Sequence, residues 1–247
     1  MVVNYCDYRF TRKENIIYTL QSICLIGMIG YLFYQSVLSI LFLAPLVFIF
    51  RKKKKKECLK EQKWQLNLEF KDVILSLSAA LNAGYSPEHA LEEAYKDLKH
   101  LYKSDSLIMQ ELHYMIQQLH MNITIEKVLE DFGERTGIED IISFAEVFAT
   151  AKRTGGDLVH VIKVTSNTIS DKIDIKREII TLISSKKLEA NIMKVIPQGI
   201  LFYLNLTSPG YLDPLYHNVF GVSVMSILLI IYLLAIKIMQ KIMDIQV

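Results

Sequence analysis

The chain has 247 residues, is 51% hydrophobic and carries a formal net charge of +2, with a positive mean hydropathy. Ten glycines and five prolines are too few for a turn-rich β protein, and the net charge is uninformative as a total, whereas its placement is informative. Cys6, Cys24 and Cys58 form no CxxC pair or metal spacing, so no disulfide framework is predicted and Cys24 reads as a small buried hydrophobe. The apolar excess is confined to residues 16–50 and roughly 191–240, and the stretch between reads as a charged domain large enough for one core.

Residues 1–15 form a short basic segment holding Arg9, Arg12 and Lys13. Ile16–Phe50 then runs for 35 positions without a charge, too long for one ordinary span and just long enough for a hairpin. Tyr31, Tyr34, Gln35, Ser36 and Ser39 suit its turn, which predicts spans at about 16–33 and 36–50. A signal peptide over 1–35 is the rival reading, although no A-x-A-like site closes the apolar run. Residues 51–65 are a basic juxtamembrane linker in which Arg51, Lys52, Lys53, Lys54, Lys55 and Lys56 set membrane orientation. The same run could contact anionic lipid or nucleic acid specifically, but directly after a span its ordinary role is topology and headgroup contact.

From 66 to 190 the pattern is helical. Leu66, Phe70, Val73, Ile74, Leu77 and Leu81 make one apolar stripe, predicted to stop at Gly84 in A-L-N-A-G-Y. Ser86 reads as an N-cap with Pro87 first in the helix, followed by Ala90, Leu91, Ala94, Tyr95 and Leu98. A third helix is predicted after Ser104 or Asp105, burying Ile108, Leu112, Met115, Ile116 and Leu119. Thr124 is expected to cap a short helix with Val128, Leu129 and Phe132, ending near Gly137; Ile141, Ile142, Phe144, Ala145, Phe148 and Ala151 form the next. Gly155 and Gly156 then permit a tight break before Asp157 caps the following helix. That last pattern (Leu158, Val161, Ile162, Thr165, Ile169, Ile173) meets no strong breaker before Pro197. The expected fold class is all-α, with a bundle of about six helices.

Residues 191–240 are predicted as a second pair of spans, at 191–206 and 221–236, around an outer loop at 207–218 that lacks Lys and Arg; 241–247 form a tail. All basic segments fall on one side if there are four spans with both termini in the cytosol.

Chemistry is sparse. No phosphate loop, HExxH pair or GxSxG turn occurs. His113 with His120, or His89 with Glu93, has helical spacing for a metal, but no third ligand converges on either pair. No catalytic, cofactor-binding or metal residue is therefore assigned, and no cofactor is expected. Asp171, Asp174, Arg177 and Glu178 line one side of the long helix, either as a solvated salt-bridged face or as a partner-docking face. Gly133 and Gly137 spell GxxxG in a charged stretch, where the membrane-dimer meaning does not apply.

Three stretches carry a resemblance. F-K-D-V-I-L-S-L-S-A-A-L-N-A-G-Y-S-P-E-H-A-L (Phe70–Leu91), A-x-R-T-G-G-D-L-x-x-V-I (Ala151–Ile162), and I-M-K-V-I-P (Ile192–Pro197) followed by S-P-G-Y-L-D-P-L (Ser208–Leu215) resemble, in order and spacing, the type II secretion system F domain family. A single copy, with two spans before and two after it, is similar to the TadB/TadC-like branch of Tad (Flp) pilus assembly. The departures are a glycine break lacking the Glu of two-copy members and a short N-terminal hairpin. The resemblance implies a platform protein of the bacterial cytoplasmic (inner) membrane that is not an enzyme. It would couple a hexameric secretion or pilus ATPase to extraction and polymerisation of prepilin subunits. Its implied partners are that ATPase, a second F-domain platform protein, prepilins and the lipid bilayer, in a homo- or hetero-oligomer, with no nucleic acid. A membrane-anchored sensor or regulatory adaptor stays open, as does a membrane enzyme, although the outer loop is small for ligand recognition.

Overall fold

The computed structural model describes residues 5, 10, 12–34, 45–154, 157–208, 210–216 and 218–243. Among these the chain is all-α and contains no strand. The helices in order are α1 (Arg12–Tyr34), α2 (Pro45–Asn82), α3 (Pro87–Leu98), α4 (Leu107–His120), α5 (Ile125–Thr136), α6 (Glu139–Thr154), α7 (Leu158–Thr207), α8 (Asp213–Tyr216) and α9 (Val219–Met243). They divide into two units: one holds Met1–Arg9 and Lys56–Lys176, the other Phe10–Lys55 and Arg177–Val247.

In the first unit α2 is the central element. Leu66, Phe70, Val73, Ile74, Leu77 and Leu81 are all buried on one stripe, each contributing about 1.5–3 kcal/mol of burial. Phe70 meets Phe132 of α5 and, edge-on at 5.6 Å between ring centroids, Phe144 of α6. Helix α7 lies against α2 through Ile162, Ile169 and Ile173. Two buried serines face this contact, and Ser166 donates to the Ile74 carbonyl at 3.2 Å; small side chains allow such close approach.

The turns follow local chemistry. Gly84 closes α2 with φ +94°, a value that favours glycine. Ser86 accepts from the His89 N–H, with Pro87 opening α3. Gly137 ends α5 in the left-handed conformation. Gly133 has a packing role: a Cβ there would stand 3.3 Å from Ile142 Cα, so the glycine lets α5 and α6 approach.

Three local expectations are corrected. Helix α4 is capped by Ser106 rather than Ser104 or Asp105. Thr124 occupies the N-cap position of α5, but its side chain caps nothing. The basic segment 51–65, read as a linker, is helical throughout and continuous with the α2 core stripe; a run of Lys, Glu and Gln offers good helix formers and no breaker.

In the second unit Leu32 and Phe33 of α1 pack with Leu212, Tyr216, Met225 and Leu229. Tyr216 donates to the Leu32 carbonyl at 2.8 Å, satisfying an orphan acceptor in the last turn of α1. Helices α7 and α9 form an antiparallel pair in which Gln198 meets Tyr232. Cys24, expected to be buried, is exposed on α1. Among the described residues two helices are long and apolar enough to cross a membrane, Lys13–Tyr34 and Phe220–Met239, and only 11% of the latter's most apolar window is buried. Of the second predicted span, 36–44 lie outside the described residues and Pro45–Phe50 open α2. The predicted third span, 191–206, is the apolar end of α7.

Candidate functional site

The polar groups of the first unit are drawn into bracing clusters. The most buried joins α4, α5 and the N-terminal segment. Glu111 is 3% exposed on the core face of α4. Arg135 of α5 reaches it with Nη1 to Oε1 at 3.1 Å and Nη2 to Oε2 at 2.8 Å, the second an ion-pair contact off hydrogen-bond alignment. Arg135 Nε also holds Asp131 at 2.7 Å. Tyr5 is fully buried and donates to Glu111 Oε1 at 2.8 Å. Burial pushes the Tyr5 hydroxyl pKa well up, and the Glu111 charge pushes it further. The phenol therefore stays protonated and serves as a donor. Burial works against the Arg135 cation, but its bonds to Glu111 and Asp131 outweigh this and raise its pKa.

A second cluster ties α2, α6 and α7. Asn67 donates to Asp140 Oδ2 at 2.8 Å, and Lys172 takes Asp140 Oδ1 at 2.6 Å. The hydrogen bond to Asp140 raises the Lys172 pKa. Nearby, Lys71 pairs with Asp174 at 2.6 Å. A third cluster gathers α3, α5 and α6 at the end of the unit that carries Gly84: Lys152 bridges Glu88 and Glu126 at 3.1 and 3.2 Å. There too His120 of α4 and His89 flank Glu92 of α3 at 2.9 and 3.5 Å. Contact with His120 first, and with His89, lowers the Glu92 pKa.

The residues proposed for function are placed as follows. Asp171, Asp174, Arg177 and Glu178 are all exposed, but Asp174 is engaged by Lys71 within the first unit. Arg177 and Glu178 begin the second unit's part of α7. Helical spacing aligned the four but carried no information about the α2 lysine that Asp174 meets. Asp157 caps α7 by accepting from the His160 N–H at 3.0 Å; Gly155 and Gly156 lie outside the described residues. Arg51 donates to Asn15 Oδ1 at 2.5 Å, and Lys54 stands 5.7 Å from the Tyr18 ring centroid, so the basic run borders the start of α1; Lys52, Lys53 and Lys56 are exposed on the same stretch of α2, with Lys55 half-buried. Among the described residues no group of three or more His, Cys, Asp or Glu is arranged to hold a metal ion. The sequence reading missed Glu111 and Arg135, although a carboxylate inside the stripe Ile108, Leu112, Met115 was a usable signal.

No protein-family model matches the chain, nor does any characterised protein or solved structure.

Proposed function

We propose that this chain is a platform protein of a type II secretion-like or Tad pilus assembly machine in the bacterial cytoplasmic membrane. It would couple a cytosolic hexameric ATPase, beside a second F-domain platform protein, to prepilin extraction and polymerisation. The observation carrying the reading is α7: one helix includes core residues Ile162, Ile169 and Ile173 of the first unit and continues without a break into the apolar 191–206. A helix of that kind suits an adaptor that passes displacement between a partner and the membrane.

In this reading the chain crosses the membrane four times, with both termini and the helical bundle in the cytosol. Tyr5 supports the N-terminal half of that topology, since it is buried with the bundle's own residues.

Reporter fusions at Lys54 and Asp213 test the topology, and opposite sides are expected; the same side for both sinks the four-span arrangement. Affinity purification of the full chain from its native membrane tests the function. A secretion ATPase should be retained, and a chain that hydrolyses a substrate on its own overturns the reading.

A further inference from the structure

The chain passes between its two units at residues 9–10, 55–56 and 176–177. The second and third passages lie inside the continuous helices α2 and α7. The first is held differently. Tyr5 is fully buried among the core residues of the first unit and donates to Glu111 Oε1 at 2.8 Å. Phe10 belongs to the second unit and sets its ring against Tyr18 of α1, 5.4 Å between centroids. Among the described residues, an aromatic side chain thus fixes each side of this passage. The slot around Tyr5 does not depend on its occupant for charge balance. Glu111 meets Arg135 at two points, 3.1 and 2.8 Å, and Arg135 also holds Asp131 at 2.7 Å. Withdrawing Arg135 would strand a buried carboxylate. Withdrawing Tyr5 takes away one donor and one ring, and Glu111 keeps its cation. Glu69, buried on α2, adds a second carboxylate whose charge bears on the Tyr5 hydroxyl. The slot therefore accepts a neutral donor and rejects an anion.

We propose that Tyr5 is a releasable clip: its side chain leaves the slot while the first unit stays folded, and its release unties α1 from that unit. Regions held by few contacts open at lower free energy than the core around them, and the Glu111–Arg135 pair keeps the empty slot intact. In the released state the two continuous helices carry the connection. In the coupling reading given above, the clip decides whether α1 moves with the first unit. The clip itself stands without that reading.

Hydrogen exchange of the detergent-purified full chain tests the clip, read by mass spectrometry on a peptide containing Tyr5 and on core peptides around Leu112 and Leu129. In the wild type the Tyr5 peptide should be protected, yet open on the order of tenfold or more often than the core peptides. Sub-denaturing urea should barely change its exchange while speeding theirs, because its opening exposes little surface. Tyr5→Phe should speed exchange of that peptide roughly 10- to 100-fold, the worth of one hydrogen bond to a charged acceptor. Tyr5→Glu brings a third carboxylate to the slot. It should remove the peptide's protection altogether, while the core peptides stay protected and the fluorescence of Trp64, which packs against that core, stays native. Equal exchange of the Tyr5 and core peptides with the same urea dependence makes Tyr5 an ordinary core residue and overturns the proposal. An unprotected Tyr5 peptide in the wild type, or one indifferent to Tyr5→Phe, overturns it by showing no clip. Loss of core protection in Tyr5→Glu overturns it by showing a slot that collapses without its tyrosine.

Discussion

Glu111 and Arg135 show how one buried pair sets the behaviour of a helical unit. Both partners are largely withdrawn from water, with side chains 4% and 17% exposed, so removing one leaves the other's charge uncompensated. Arg135→Leu is expected to cost about 3 kcal/mol, and the double change Glu111→Leu with Arg135→Leu should recover most of it. The chain's single tryptophan, Trp64, packs against this core, so its fluorescence during denaturant unfolding reads both variants. Tyr5→Phe deletes a hydrogen bond to a charged acceptor and should cost about 2 kcal/mol. That cost depends on pH. The Tyr5 pKa is raised above its ordinary 10.0 in the folded chain, so the unfolded chain ionises first. The tyrosine's contribution is complete below about pH 10 and is lost as pH rises beyond it. Lys152 and Lys172, raised above 10.5 by their carboxylate partners, lose theirs in the same direction. Alkaline unfolding should therefore set in near pH 10, with the gap between wild type and Tyr5→Phe closing there.

Among the elements, α7 carries Pro197 inside an unbroken helix. A proline removes one backbone bond and pushes away carbonyls in the preceding turn, and in an apolar setting a freed carbonyl needs another donor. Tyr232 of α9 donates to the Lys194 carbonyl at 2.7 Å, one residue past the Met193 carbonyl that Pro197 leaves without its helical donor. Tyr232→Phe should lower the melting temperature of the purified protein. Gly221 in α9 is a second fixed point. A Cβ there would lie 2.6 Å from the Leu215 Cα and the Pro214 carbonyl, backbone atoms that cannot swing aside. Gly221→Ala should lose about 2 kcal/mol, whereas Gly199→Ala, with open space around it, should be neutral or stabilising. Element boundaries were legible wherever a local residue decides them: Gly84, Ser86, Gly137 and Asp157 each do what their chemistry dictates. The Ser104–Asp105–Ser106 run was ambiguous because all three are capping residues, and Ser106, adjoining the first helical residue, does the capping. Periodicity named the apolar stripes of α2 to α6 but not the partners of charged residues. Asp174 pairs with a lysine 103 positions away, and Glu111 with a tyrosine 106 positions away. Nothing local encodes such choices.

For the whole molecule, continuity of α7 is what the proposed coupling depends on. Asp171 is a poor place to interrupt it, since Ile169 and Ile173 on either side are core residues. Residues Ser184 and Ser185 are exposed, and a flexible Gly-rich insertion between them should leave the first unit folded by Trp64 fluorescence while abolishing filament assembly. Retained assembly with such an insertion removes α7 as the coupling element.

The burial of Tyr5 also bears on how the protein is made. Tyr5 is synthesised before its acceptor Glu111 and that carboxylate's partner Arg135, which follow only after α1 and α2. In the proposed membrane arrangement α1 therefore enters the bilayer before Tyr5 has its native partner. The unit closes around Tyr5 as a late step in biogenesis. A bulky fusion just ahead of Tyr5 should stall maturation there, leaving a chain whose first unit is sensitive to protease.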